Sequence, residues 1–201
     1  QQARQYLEQT VKLRPEYPEA WNNLGMIAAA QGQAEEAIRN FQESLRQRPD
    51  FGIALLNLGN LYRRGGRFDQ AQMYLKRALE IQPDDPEANY SMGMFYAQQG
   101  QMQEAADSLE KAIELRPDYP EALNNLGVLF VRSRNYPKAE EQFNTCIRIA
   151  PNFDQSYLNL ARVYVIQHDT EKAREVLGEL LRIQPENRGA QQALEMLKSL
   201  P

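Results

Sequence analysis

The stretch that decides the fold is PEAWNNLGMIAAAQGQAEEAIRNFQESLRQRPDF, residues 18–51. Its first half puts Trp21, Leu24, Ile27 and Ala28 on one face at helical spacing. Gly32 interrupts the pattern, and Ala34, Ala37, Ile38, Phe41 and Leu45 resume it. Pro49 ends it, because proline lacks an amide donor and disfavours helical geometry in the residue before it. The stretch predicts two antiparallel helices of about 13 residues joined by a short turn.

The same punctuation recurs through all 201 residues. Pro15, Pro49, Pro83, Pro117, Pro151 and Pro185 are spaced 34 apart, and so are Ala3, Ala37, Ala71, Ala105, Ala139 and Ala173. Gly25, Gly59, Gly93 and Gly127 keep the interval, with Ala161 at the next place. The predicted units are 18–51, 52–85, 86–119, 120–153 and 154–187. Residues 1–17 read as the C-terminal half of a preceding unit and 188–201 as a terminal capping helix. One such hairpin cannot bury its apolar face alone, so the units must stack into an all-α solenoid of antiparallel helix pairs. The recurrent glycines and alanines remove bulk where helices cross. Pro18, Pro86 and Pro120 suit the first turn of a helix. Arg134 and His168 stand where Gly32, Gly66 and Gly100 make the turn, so those two turns are expected to avoid positive φ. Ala161 in a glycine place, and Leu180 where Ala78, Ala112 and Cys146 stand in other units, predict looser packing towards the end.

Composition narrows the function. The formal net charge of -4 lacks the basic excess of a general nucleic-acid binder. No stretch approaches the roughly 18 apolar residues of a membrane span. The start is not Met and Gln1–Leu7 has no apolar signal core, so the sequence reads as an excised piece. Cys146, the one cysteine, allows no internal disulfide and fits a reducing compartment such as the cytoplasm, though the compartment itself is not legible. His168 is the only histidine and falls at a turn, while Cys146 falls at a packing place, so no metal site is expected. Without strands there is no phosphate-binding loop. The expectation is a chain with no catalytic residues and no cofactor.

Trp21, Leu24, Gly25, Ala37, Phe41 and Pro49 carry a resemblance to the tetratricopeptide repeat (TPR) family, as do Leu58, Gly59, Tyr62, Ala71, Ala78 and Pro83. Leu126, Gly127, Phe130, Tyr136, Ala139, Phe143 and Pro151 repeat it. The resemblance spans nearly the whole chain. It implies a right-handed superhelix whose first helices line a concave groove that binds peptides or extended segments. Helical spacing assigns the second, fifth, sixth, ninth, twelfth and thirteenth places of each unit to that groove.

The sixth place reads Asn23, Asn57, Ser91, Asn125 and Asn159. A carboxamide both donates and accepts, so such a row can bond a peptide backbone of any sequence. It resembles the asparagine ladder in the TPR region of O-linked N-acetylglucosamine transferases; an ordinary solvated row is the competing reading. Arg63, Arg64, Arg132 and Arg162 add a basic side opposite Glu19, Glu87 and Glu121, which makes an acidic ligand plausible. Met26, Ile53, Leu56, Tyr90, Met94, Val128, Leu158, Val165 and Ile166 supply apolar surface, some of it expected to pack against neighbouring helices. The candidate peptide-binding set is Asn23, Asn57, Asn60, Arg63, Arg64, Tyr90, Asn125, Arg132, Asn159 and Arg162. A chaperone-type carboxylate clamp is disfavoured, because Lys12, Lys76, Lys111, Lys138 and Lys172 all fall off the groove helices and Lys198 falls in the terminal helix. The leading expectation is a protein-interaction scaffold. The alternatives are a substrate-recruiting domain of a larger enzyme such as a glycosyltransferase, or a module that self-associates end to end.

Overall fold

The computed structural model describes residues 2–198, and these contain twelve α-helices and no strand. Contacts divide the chain into two compact units, Gln1–Gln101 and Met102–Pro201. The first holds α1 (Gln2–Leu13), α2 (Pro18–Ala30), α3 (Ala34–Gln47), α4 (Gly52–Arg64), α5 (Phe68–Ile81) and α6 (Pro86–Gln98). The second holds α7 (Met102–Leu115), α8 (Pro120–Arg132), α9 (Tyr136–Ile149), α10 (Asp154–Ile166), α11 (Thr170–Ile183) and α12 (Arg188–Lys198). The fold is that of the all-α helical-repeat solenoids. Helices α2, α4, α8 and α10 are each 13 residues long, and their partners α3, α5, α9 and α11 are each 14.

The periodic small residues work as expected. Ala37, Ala71, Ala105, Ala139 and Ala173 are fully buried. A β-carbon built on Gly25 would lie 2.6 Å from the Phe41 ring, and one on Gly127 would lie 2.5 Å from the Phe143 ring. At Gly59 the obstacle is the Leu75 side chain, at 2.8 Å. A ring or branched side chain of the second helix thus occupies the hole that glycine leaves in the first. Where Ala161 replaces glycine, the corresponding residue is Leu177, and both are buried. Trp21 departs from the expected buried face: it is half-buried, and its indole N–H donates to the Pro15 carbonyl at 2.8 Å. Indole nitrogen needs an acceptor, which draws the ring towards the linker before α2.

One expectation fails. Arg134 and His168 do adopt positive φ, at 58° and 63°, like Gly32, Gly66 and Gly100 at 75°, 72° and 76°. The reason is the hydrogen bonding that closes each first helix. Gln33 N–H donates to Ala28 O at 2.9 Å and Gly32 N–H to Ala29 O at 3.1 Å. Asn135 to Phe130 (2.8 Å) with Arg134 to Val131 (3.0 Å), and Asp169 to Tyr164 (2.9 Å) with His168 to Val165 (3.1 Å), repeat that pair of bonds. This is the Schellman closure, which needs a left-handed residue whatever its side chain. The backbones of α10 and α11 approach each other less closely than those of α4 and α5, as Ala161 in the glycine place predicts, while Leu180 is still fully buried. It shares a core cluster with Ala190 of α12, a residue small enough to leave room for it.

Candidate peptide-binding face

The first helices make successive contacts, α2 with α4 and α4 with α6 in one unit, α8 with α10 and α10 with α12 in the other. Each unit therefore presents its own row of first helices. Polar side chains at the fifth, sixth and ninth places cross from one helix to the next. Asn57 Nδ2 donates to Asn22 Oδ1 at 3.0 Å, and Asn159 Nδ2 donates to Asn124 Oδ1 at 2.9 Å. Ser156 Oγ adds a 3.3 Å contact to the same Asn124 oxygen. Asn22 and Asn124 are buried and were not among the candidates, yet they fix the orientation of the residues that were. Their signal in the sequence is the Asn-Asn pair, at Asn22–Asn23 and again three repeats on at Asn124–Asn125.

These bonds divide the asparagine row by role. Asn57 and Asn159 use their N–H on a neighbouring helix, which leaves their Oδ1 as the group able to meet a ligand donor. Asn23 is exposed, and Asn125 is half-buried. Asn60 Nδ2 donates to the buried Ser91 Oγ at 2.8 Å, so Ser91, the exception in the row, takes up an amide from α4.

Arg63 is half-buried and rests on amide oxygens, with Nη1 on Gln98 Oε1 at 3.2 Å and Nε on Asn60 Oδ1 at 3.4 Å. Burial lowers its pKa, the Tyr90 ring oxygen acts the other way, and the charge of Arg64 lowers it further. The group stays a cation, since arginine does not deprotonate in proteins. Arg64, Arg132 and Arg162 are exposed. Among the described residues none of these four arginines meets a carboxylate. Arg4, Arg46, Arg48, Arg67 and Arg174 all do, at 2.6–2.9 Å. Glu19, from the expected acidic rim, is held by Arg48 at 2.7 Å, and its other oxygen is buried without a partner. Of the apolar set, Met26, Ile53 and Ile166 are exposed, whereas Leu56, Val128, Leu158 and Val165 lean on core clusters.

Two cavities open on these rows at equivalent places. One, of about 340 Å³, lies between α2 and α4 and is lined by Met26, Ala29, Asn57, Asn60, Leu61 and Arg64. The other, of about 410 Å³, lies between α10 and α12. The set Asn23, Asn57, Asn60, Arg63, Arg64 and Tyr90 thus belongs to one unit and Asn125, Arg132, Asn159 and Arg162 to the other. The chemistry offered is that of amides and guanidinium groups: backbone hydrogen bonds and anion pairing. Among the described residues no three His, Cys, Asp or Glu side chains gather as a metal site, and no helix is long and apolar enough to cross a membrane.

Stacked pairs of short helices, keyed by small residues and closed by Schellman turns, define a helical-repeat protein. Four family profiles, each described as tetratricopeptide repeat, match residues 16–84, 56–120, 96–157 and 143–175. The chain belongs to the tetratricopeptide repeat family. Among solved structures it is similar to PilW, a widely conserved type IV pilus biogenesis factor, with 21% identity, 94% of this chain and 87% of that one covered, and a TM-score of 0.84. It is similar to YrrB, a TPR protein with an unusual peptide-binding site, at 21% identity over 94% of this chain and 97% of that one, TM-score 0.68. MamA is 26% identical over 81% of this chain and 95% of that one, TM-score 0.71. No curated protein matches the chain in sequence.

Proposed function

We propose that the chain is a protein-interaction scaffold whose first-helix faces hold an extended, acidic peptide segment. The observation that carries this reading is the Arg63 guanidinium, held on this face by two amide oxygens beside the exposed Arg64, with no carboxylate against either among the described residues. A guanidinium fork suits a carboxylate bidentately, and in Arg63 it is already ordered by Asn60 and Gln98. With their Nδ2 groups used on neighbouring helices, Asn57 and Asn159 would offer Oδ1 to ligand backbone N–H groups. The same contacts would serve recruitment of substrate to an attached enzyme. TPR repeats generally act as interaction modules, and YrrB is described as having a peptide-binding site, which supports the reading.

The test is a selection of displayed random octapeptides on the wild-type chain, followed by affinity measurements of the enriched peptides on variants. Enriched peptides should be acidic, and Arg64→Glu with Arg132→Glu should weaken them roughly tenfold or more, because an attractive charge becomes a repulsive one. Both side chains are exposed, so melting temperature should hardly move. Affinities equal to wild type in the double variant would remove the proposal. Asn57→Ala is a poorer probe, since it strands the buried Asn22 oxygen.

A second reading, end-to-end self-association, is favoured by apolar side chains left open on α1, where Tyr6 and Leu13 are 68% and 83% exposed. Sedimentation across a concentration series tests it; a strict monomer at the highest concentration ends it.

A further inference from the structure

The cavity between α10 and α12 carries a more specific conclusion. It occupies the same places in its repeats as the cavity between α2 and α4, but the lining has changed character. Asn57 and Asn60 of the one correspond to Ala193 and Met196 of the other, and Met26 and Ala29 correspond to Arg162 and Val165. The amides are gone, and Leu158, Val165, Ala193, Met196 and Leu197 wall an apolar space of about 410 Å³. Among the described residues that line it, Arg162 is the one charged group. It is exposed and meets no carboxylate among the described residues. Glu195, on the same helix as Met196, is bound to Lys198 at 2.6 Å.

We propose that this cavity seats one large apolar side chain of a partner peptide while Arg162 pairs with a carboxylate next to it in that peptide. The inference rests on the peptide-binding reading above and names the residue pair that one subsite takes. At about 410 Å³ the cavity has ample room for one leucine, methionine or phenylalanine side chain together with the peptide backbone beside it. Covering the apolar walls removes water from around the guanidinium, so the charge pair strengthens as the side chain enters. Neither feature alone specifies a partner. Together they call for an apolar residue flanked by aspartate or glutamate, a combination that a purely basic or purely polar segment lacks.

The octapeptide selection supplies the test, read on Arg162→Glu and Met196→Glu. Both residues are exposed, with Met196 at 70%, so both variants should keep the wild-type helical spectrum. The enriched peptides should share an apolar–acidic pair, and each variant should weaken them by roughly tenfold or more. Two results overturn the inference: enriched peptides without that pair, or affinities that neither variant changes. If those affinities still fall with Arg64→Glu and Arg132→Glu, the broader peptide-binding reading survives. A selection that enriches nothing removes both. If instead the wild type dimerises and Met196→Glu abolishes the dimer without peptide, the occupant is a second copy of the chain, and the inference is likewise overturned.

Discussion

The residue that closes each first helix has a left-handed backbone, and in two of five turns it carries a side chain. That conformation costs an L-residue roughly 1–2 kcal/mol, from which the greater chain entropy of unfolded glycine must be subtracted. Arg134→Gly and His168→Gly should therefore each stabilise the chain by up to about 1 kcal/mol, seen as a higher urea midpoint at unchanged m-value; a lower midpoint would refute the strain. A buried hydroxyl gives a second case. Tyr157 is fully buried, and its Oη has no hydrogen-bond partner. Tyr157→Phe should be neutral or stabilising by about 1 kcal/mol in the same measurement. The glycine holes give a third. Gly127→Ala should cost roughly 1–3 kcal/mol, because its methyl meets the fully buried Phe143 ring. Adding Phe143→Leu should recover part of the loss, since it reproduces the Ala161–Leu177 arrangement that the chain already tolerates. No recovery in the double variant would mean that the hole is not what glycine provides.

At the scale of helix pairs, apolar spacing was enough to read the elements, because each helix must hide one stripe and each turn needs its stop. The interval of alanines and glycines was legible for the same reason: a crossing between close-packed helices admits no other size. What sits between pairs was harder to read. Ser44 Oγ is buried and donates to the Pro18 carbonyl at 2.8 Å, which ties the end of α3 to the start of α2. Three repeats on, Cys146 makes the weaker sulfur version of this contact to the Pro120 carbonyl at 3.4 Å. Ser44→Ala should cost about 0.5–1.5 kcal/mol by removing this bond, as measured by thermal melting; an unchanged melting temperature would show the bond to be incidental. The Asn22–Asn57 and Asn124–Asn159 bonds belong to the same class. A one-dimensional pattern marks which residues leave the core, but not whether an amide then turns to solvent or to the next helix.

For the whole chain, stability in a repeat array is local, since each hairpin is held by its neighbours. Helix α1 has no fully buried residue, whereas the core that includes Tyr157, Leu160, Val163 and Leu177 is closed to solvent. Amide exchange should be fastest in α1 and slowest in α10; comparable protection in both would argue for one all-or-none transition instead. The two cavities then bear on how such a protein diversifies. Each lining has a floor of residues that also hold the helix crossing, Phe41 in one and Ala161 with Leu177 in the other, and a rim of residues that do not. Exchanging rim residues, Asn57 and Asn60 in one for Ala193 and Met196 in the other, turns an amide socket into a greasy one above a floor of the same design. Floor and rim thus answer to different constraints, and partner choice can drift at the rim while the floor stands still.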